Sequence, residues 1–142
     1  MDSERRFIRT RKKTILLTVL IVVILASGIL TLTMRQDTKF DGDRISDPGH
    51  FALRFDRMNM TDSETIVLQE GDVLHVSWQI EKGFVDIMIG QKNEEVVYQA
   101  NDRPAGDKAD FYVEIPKTGA YTITVSAREA KGEIDFLKIE SE

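Results

Sequence analysis

The sequence predicts an all-β fold: an antiparallel β-sandwich of about eight strands, jelly-roll-like, preceded by a single N-terminal transmembrane helix. Three observations support this prediction. Beyond residue 50, apolar and polar residues alternate with a period of two. Turn-forming residues recur at intervals of roughly 8 to 12 residues, which is typical of sandwiches. One long apolar segment lies near the N-terminus, and a chain of 142 residues has room for one domain besides it.

Residues 1–13 are a basic tail, in which six arginines and lysines stand against two acidic residues. The flank after the apolar segment is much less basic. Because positive charge is retained on the cytoplasmic side of a membrane span, we expect the N-terminus to be cytoplasmic and the C-terminal domain to be extracytoplasmic.

Residues 14–34 contain no charged residue and are almost wholly aliphatic. About 20 helical residues cross the roughly 30 Å hydrocarbon core of a bilayer, so this length predicts one transmembrane helix. A cleaved signal peptide would begin in the same way, and Ala26-Ser27-Gly28 has the small residues of a cleavage site. The apolar run continues past that point, however, which favours a retained signal-anchor and a single-pass protein of the cell membrane.

Residues 35–49 are polar and rich in aspartate and glycine, and they are interpreted as a linker. The aspartates invite a calcium site, but their spacing does not match an EF-hand loop, so a solvated linker is preferred. Beyond residue 13 the chain has 13 basic and 22 acidic residues, a net charge of −9. A basic surface for nucleic acid is thereby excluded.

Residues 50–142 are predicted to form the sandwich. Lys82-Gly83 predicts a hairpin turn between two of its strands. The last strand changes phase at Leu137, which predicts a β-bulge or burial on both faces. The predicted strands cover residues 50–56, 65–68, 74–80, 84–89, 96–100, 111–115, 121–127 and 134–139.

The segments GDVLHVSWQIEKGFVDIMI and IPKTGAYTITVSA resemble the bacterial pre-peptidase C-terminal sandwiches and the GOLD domain. In those families a Gly-Asp turn precedes an apolar strand and a Pro-x-x-Gly-x-Tyr turn enters a late strand. The resemblance covers residues 65–140 and implies an accessory, adhesive or cargo-binding role without catalysis. The matching residues here are Gly71, Asp72, Pro116, Gly119 and Tyr121.

Catalytic chemistry finds no support in the sequence. The chain has no cysteine, and its two histidines, His50 and His75, are not at the spacing of a zinc motif. No nucleophile elbow and no phosphate-binding loop is present. We therefore expect no enzyme activity, no catalytic residue, no cofactor and no metal site.

Binding residues are sought instead at exposed positions. Trp78 shares a strand face with Val76 and Ile80, so a core position is preferred over a sugar platform. Residues 101–109 form the longest polar connection within the domain, either a recognition loop or a plain hairpin connection. The candidate binding surface comprises Tyr98, Asn101, Asp102, Arg103, Asp107 and Tyr112.

The leading functional hypothesis is a membrane-anchored, non-enzymatic binding module outside the cytoplasm of a bacterium. Its expected ligand is a protein partner in a membrane or envelope complex. The alternative is an envelope polysaccharide, bound by exposed tyrosines and by the polar residues of the 101–109 connection.

Overall fold

The computed structural model of this chain describes residues 18–21 and 39–139. The basic tail and nearly all of the predicted transmembrane segment lie outside the described residues, and residues 18–21 form a single helical turn. Within the described ranges, no helix is both long enough and apolar enough to cross a membrane. The chain divides into two units between Thr38 and Lys39, and the described part of the second unit is all-β.

Antiparallel strands build the second unit, and every strand pairs with at least one other. They are β1 (Phe40–Asp47), β2 (His50–Met58), β3 (Thr61–Leu68), β4 (Val73–Gln91), β5 (Val96–Pro104), β6 (Lys108–Glu114) and β7 (Gly119–Ile139).

Two long strands, β4 and β7, run through both layers of the sandwich. The first half of β4 pairs with β6 and with the second half of β7. The second half of β4 pairs with β5 and with the first half of β7. Together with the pairs formed by β1, β2 and β3, this gives a five-stranded sheet β1-β2-β7-β4-β6 and a four-stranded sheet β3-β7-β4-β5. The predicted β-sandwich is thus confirmed.

The hairpin predicted at Lys82-Gly83 is wrong. The two segments that flank it do not pair with each other, and both belong to the single bent strand β4. In the same way, the predicted strands at 121–127 and 134–139 are the two halves of β7. Gly83 has a φ of +70°, so the glycine that predicts a hairpin instead bends a continuous strand from one sheet into the other.

The linker predicted for residues 35–49 contains a strand, β1. Alternation fails to reveal β1 because it is an edge strand on which every side chain after Phe40 is exposed. Backbone pairing with β2 holds it in the sheet. The side chain of Arg44 also binds Asp62 and Glu64 of β3, at 2.8 Å each, which ties the edges of the two sheets together.

The phase change predicted at Leu137 is wrong, because the alternation of burial in β7 changes at another position. Burial alternates without interruption from Ala130 to Phe136, and Leu137 is simply exposed. The alternation shifts instead at Arg128 and Glu129, where β7 bends beside Gly83.

Between the sheets the core is closely packed: Phe51 stacks on Phe136 at a centroid distance of 5.8 Å.

The turn before β4 is held by a buried carboxylate. Asp72 accepts a hydrogen bond from the backbone N–H of Gln69 at 2.8 Å. It also forms an ion pair with Lys138 at 3.2 Å. Both contacts favour the charged form and hold the pKa of Asp72 below its ordinary value of 3.8, the Gln69 bond being the larger cause.

We expect Asp72→Asn to lower stability at neutral pH. Because the native pKa is depressed, the stabilisation by the carboxylate is present in full above the unfolded-state pKa and is lost as the pH falls through the native pKa. Urea unfolding of the full chain at pH 7 and at successively lower pH values should therefore show the gap between wild type and variant closing below about pH 4. A gap of constant size would show that the charge of Asp72 is not its cause.

Candidate functional site

The outer face of the five-stranded sheet carries three rows of side chains that cross its strands. On β4 the residues Leu74, Val76 and Trp78 are buried, so His75, Ser77 and Gln79 point away from the core. Each of these three residues lies directly opposite one residue of β6 and one of β7. The strand order therefore extends each of them into a row of neighbours.

The three rows are named by their position along β4. The upper row is Tyr112, His75, Leu137 and His50. The middle row is Asp110, Ser77, Asp135 and Ala52. The lower row is Lys108, Gln79, Glu133 and Arg54.

Small side chains in the middle row leave a groove along the middle and lower rows, and the upper row lies beside it. Ser77 and Ala52 are far shorter than the members of the rows on either side. Two shallow depressions of about 390 and 310 Å³ result, and both are lined by Glu133, Ile134 and Asp135. The second depression extends to Ile45 of β1, so the groove crosses all five strands. Its length is four interstrand steps, about 19 Å.

Histidine–aspartate pairs fix the carboxylates of the groove. His75 Nε2 lies 2.7 Å from Asp110 Oδ1, and His50 Nε2 lies 3.0 Å from Asp135 Oδ2. Each pair engages one carboxylate oxygen, and within residues 39–139 no hydrogen bond is made to the other oxygen of Asp110 or Asp135. Held in place and acceptor-only, these oxygens can receive hydrogen bonds from a bound molecule.

An aromatic side chain, Tyr112, stands at the β6 end of the upper row, beside the groove. Tyr112 is 65% exposed, as the alternation along its strand predicts, and its ring lies 5.0 Å from the His75 ring. Leu137, in the same row, is 41% exposed. This wall of the groove therefore offers apolar surface, whereas the opposite wall offers the charged and amide groups of the lower row.

The six residues of the predicted binding surface fall into three separate places. Tyr112 lies in the upper row, beside the groove. Tyr98 is half-buried, its ring 4.8 Å from Phe111 and 6.4 Å from Trp78, and burial raises the pKa of its hydroxyl. Arg103 and Asp107 lie close enough to influence the charge state of that hydroxyl. The predicted set is thus not one surface.

The connection predicted at residues 101–109 is short. Strand β5 continues to Pro104 and β6 begins at Lys108, so only three residues form the turn. Asn101 and Asp102 belong to β5, where Asp102 pairs with Arg128 and Asn101 accepts a hydrogen bond from Gln99. Strands β5 and β6 do not pair with each other, so this short turn joins the edges of two sheets and is neither a long recognition loop nor a hairpin connection.

Sequence reasoning misses the histidines and carboxylates of the groove. Alternation along β4 does place His75 and Ser77 on the polar face, but an outward position alone describes many residues. What singles these residues out is their alignment with Asp110 and Asp135 on neighbouring strands, which depends on strand order and register.

Asp107 supports the buried Trp78, whose indole Nε1 donates a hydrogen bond to Asp107 Oδ2 at 2.9 Å. We expect Asp107→Leu to destabilise the domain by about 1 to 2 kcal/mol, because the indole N–H loses its partner in a site that water reaches poorly. Asp107→Asn retains an acceptor oxygen and should lose less. Urea unfolding followed by tryptophan fluorescence compares the two variants, and equal losses would contradict the role of this bond.

Comparison with known proteins identifies no family for this chain. No family model matches it, and no curated protein matches it. Solved structures of similar shape include TmCBM61 in complex with β-1,4-galactotriose, at 18% identity and a TM-score of 0.43, with coverage of 64% of this chain and 71% of that one. A carbohydrate-binding module of Cellvibrio mixtus lichenase 5A, in complex with cellotriose, shows 10% identity, a TM-score of 0.40 and coverage of 75% and 90%.

A third similar structure is Drosophila melanogaster CENP-C bound to CAL1, at 12% identity, a TM-score of 0.32 and coverage of 80% of this chain and 96% of that one. Identities and TM-scores of this size do not assign a ligand. The resemblance to pre-peptidase C-terminal and GOLD domains stays a prediction.

Proposed function

We propose that the β-sandwich is a non-catalytic module that binds an extended polysaccharide chain along the groove of the five-stranded sheet. The observation that carries the proposal is the middle row, in which Ser77 and Ala52 leave a floor between two taller walls. The groove is shallow and runs from β6 to β1. A linear chain can therefore lie along the groove without passing an end through a closed tunnel. An internal stretch of a long polymer could bind in this way.

The chemistry of the walls matches that of a sugar ring. Sugar hydroxyls are hydrogen-bond donors, and Asp110, Asp135 and Gln79 present fixed or half-buried acceptors to them. The apolar face of a sugar can rest on Tyr112 and Leu137. Such a combination of apolar surface with a few placed polar groups is typical of ligand sites.

The charges in the groove favour an uncharged polymer. Glu133 is paired with Arg54 at 3.4 Å, and each floor carboxylate is in hydrogen-bond contact with a histidine. The groove thus has no unpartnered cation that would select a polyanion, apart from Lys108 at its β6 end. A protein partner, which is the leading hypothesis from sequence, would be expected to cover a broader apolar centre with aromatic anchors than Tyr112 and Leu137 provide.

The proposal includes the location predicted from sequence. Residues 14–34 would anchor the chain in the cytoplasmic membrane of a bacterium, and the module would hold a neutral envelope polysaccharide close to that membrane. Protease added to intact spheroplasts should then remove the sandwich and spare the basic tail. The opposite protection pattern would overturn this topology.

Binding itself is tested with the full chain in a mild detergent. Neutral glucans, galactans, mannans and xylans are titrated while amide and ring signals are followed by NMR. We expect shifts at Tyr112, His75 and Leu137 with at least one polymer, and a loss of affinity of about 2- to 10-fold on Tyr112→Ala. Val67→Ala is the matched control, since Val67 is 71% exposed but lies on β3, outside the groove. Shifts confined to the four-stranded sheet, or no shifts at all, would overturn the proposal.

A further inference from the structure

One arginine of the sandwich makes no ion pair within residues 39–139. The described residues include five arginines, and four of them lie within 4 Å of a carboxylate: Arg44, Arg54, Arg57 and Arg128. Arg103 makes no such ion pair and no side-chain hydrogen bond within residues 39–139. Its Nε is buried without a hydrogen-bond partner although the side chain as a whole is only half-buried, and an unsatisfied buried donor needs an explanation.

The position of Arg103 gives that explanation. Val85, directly opposite it, is fully buried, so the side chain of Arg103 points toward the space between the sheets. Strand β5 pairs only with β4, and so does β6, so both are edges of their sheets among the described strands. Arg103 therefore emerges at the open side of the sandwich, between these two edges.

Two aromatic residues lie at the same opening, which we call the β5–β6 mouth. The residues that define it are Tyr98 and Arg103 from β5, Phe111 from β6 and Asp107 from the turn between them. Tyr98 and Phe111 lie opposite the buried residues Ile89 and Val76, so they also point inward, and both remain partly exposed. The two rings pack at 4.8 Å and form an apolar surface, and the charge of Arg103 acts on the Tyr98 hydroxyl.

Three polar groups at the mouth remain able to bind. The Tyr98 hydroxyl makes no hydrogen bond within the described part of the domain, and Asp107 uses only Oδ2, for Trp78. The terminal nitrogens of Arg103 complete the set. An arginine of this kind matches a carboxylate in two parallel hydrogen bonds.

We propose that the β5–β6 mouth is a second ligand site that takes a sugar carrying a carboxylate, of the uronic acid type. Arg103 pairs with the carboxylate, Tyr98 and Phe111 contact the ring, and Asp107 accepts a hydrogen bond from a neighbouring hydroxyl. The negative charge of Asp107 disfavours a doubly charged phosphate at the same place and leaves a singly charged acid as the better ligand. The site lies apart from the groove and does not depend on it, although both concern glycans.

The test uses the full chain and oligosaccharides of galacturonate, mannuronate and glucuronate, each beside its carboxyl-reduced, neutral form. We expect at least one acidic oligomer to bind, with NMR shifts at Tyr98 and Phe111, and its reduced form to bind at least tenfold more weakly. Equal binding of the two forms, or no binding across the panel, would overturn the proposal. Binding of inorganic phosphate at Arg103 with higher affinity than any of the acidic sugars would overturn the choice of ligand.

Variants then assign the effect to the arginine. Arg103→Gln should weaken acidic binding at least tenfold, and Arg103→Lys, which keeps the charge without the paired donors, should give an intermediate loss. Arg57→Gln is the matched control, because the Nε of Arg57 is also buried and unpartnered whereas its Nη2 binds Glu129. A Ser77 variant that blocks the groove should leave acidic binding unchanged, so failure at one site is distinguished from failure at the other. Unchanged binding in Arg103→Gln would overturn the assignment.

Discussion

Gly83→Ala is expected to destabilise the sandwich by about 2 to 5 kcal/mol, a large part of the 5 to 15 kcal/mol that stabilises a typical domain. Two separate effects contribute. Gly83 has a φ of +70°, and this left-handed conformation costs any other residue about 1 to 2 kcal/mol. A Cβ at this position would also overlap the carbonyl oxygens of Arg128 and Glu129, which are backbone atoms of the facing bend in β7. Forcing such an overlap costs roughly 1 to 3 kcal/mol.

Gly106→Ala separates these two effects. Gly106 has a φ of +89°, but nothing lies within 4 Å of the position of its Cβ. This variant should therefore lose only the conformational term, about 1 to 2 kcal/mol. Urea unfolding of both variants at equal protein concentration gives the comparison. If the two variants lose the same free energy, the close approach of the two bends is not what makes glycine necessary at position 83.

The two bends also show where sequence reasoning about the fold succeeds and fails. Alternation finds the strands that have one buried face, such as Phe51, Leu53 and Phe55 in β2, because burial on one side imposes a period of two. The same pattern cannot tell a bend from a hairpin, since both need a glycine with positive φ. Only the pairing partners distinguish them, and Gly83 lies against β7 rather than between two paired strands.

The sequence does not predict strand β1, and the reason is the opposite one. Its residues are exposed on both faces after Phe40, so no burial imposes a pattern on the sequence. The strand is held by backbone hydrogen bonds to β2 and by the ion pairs of Arg44, neither of which leaves a periodic signal. Composition rich in aspartate and glycine therefore predicts a linker where the structure has an edge strand.

The functional residues are harder to predict from the sequence, because a groove that crosses several strands brings together residues that share no sequence motif. Tyr112 is predicted correctly as an exposed side chain, and Trp78 as a core residue. His50 and His75, in contrast, enter one row only because Leu137 of β7 lies between them. The sequence contains each of these side chains but not the strand order that aligns them.

Ser77→Tyr is expected to weaken polysaccharide binding in the groove by at least about 30-fold, which corresponds to roughly 2 kcal/mol. Ser77 is the central short side chain of the middle row, flanked by Asp110 on one side and Asp135 on the other. A tyrosine here would fill the floor, so a sugar ring could no longer approach either carboxylate. The substitution should leave the fold intact, because the position faces outward and tyrosine is well accommodated in strands.

Ser63→Tyr is the matched control for this variant. Ser63 is an exposed serine on β3, in the other sheet, so the same substitution there adds the same ring without touching the groove. Titration of both variants with the polymer that binds the wild type, together with their urea midpoints, separates a blocked site from a damaged fold. If Ser77→Tyr keeps wild-type affinity, the polymer does not lie across the centre of the five-stranded sheet. If both variants lose affinity equally while their midpoints are unchanged, the ligand contacts both sheets and the groove is not the site. A loss confined to Ser77→Tyr would place the sugar chain between the two carboxylates, because no other short side chain separates the upper and lower rows at that point of the sheet.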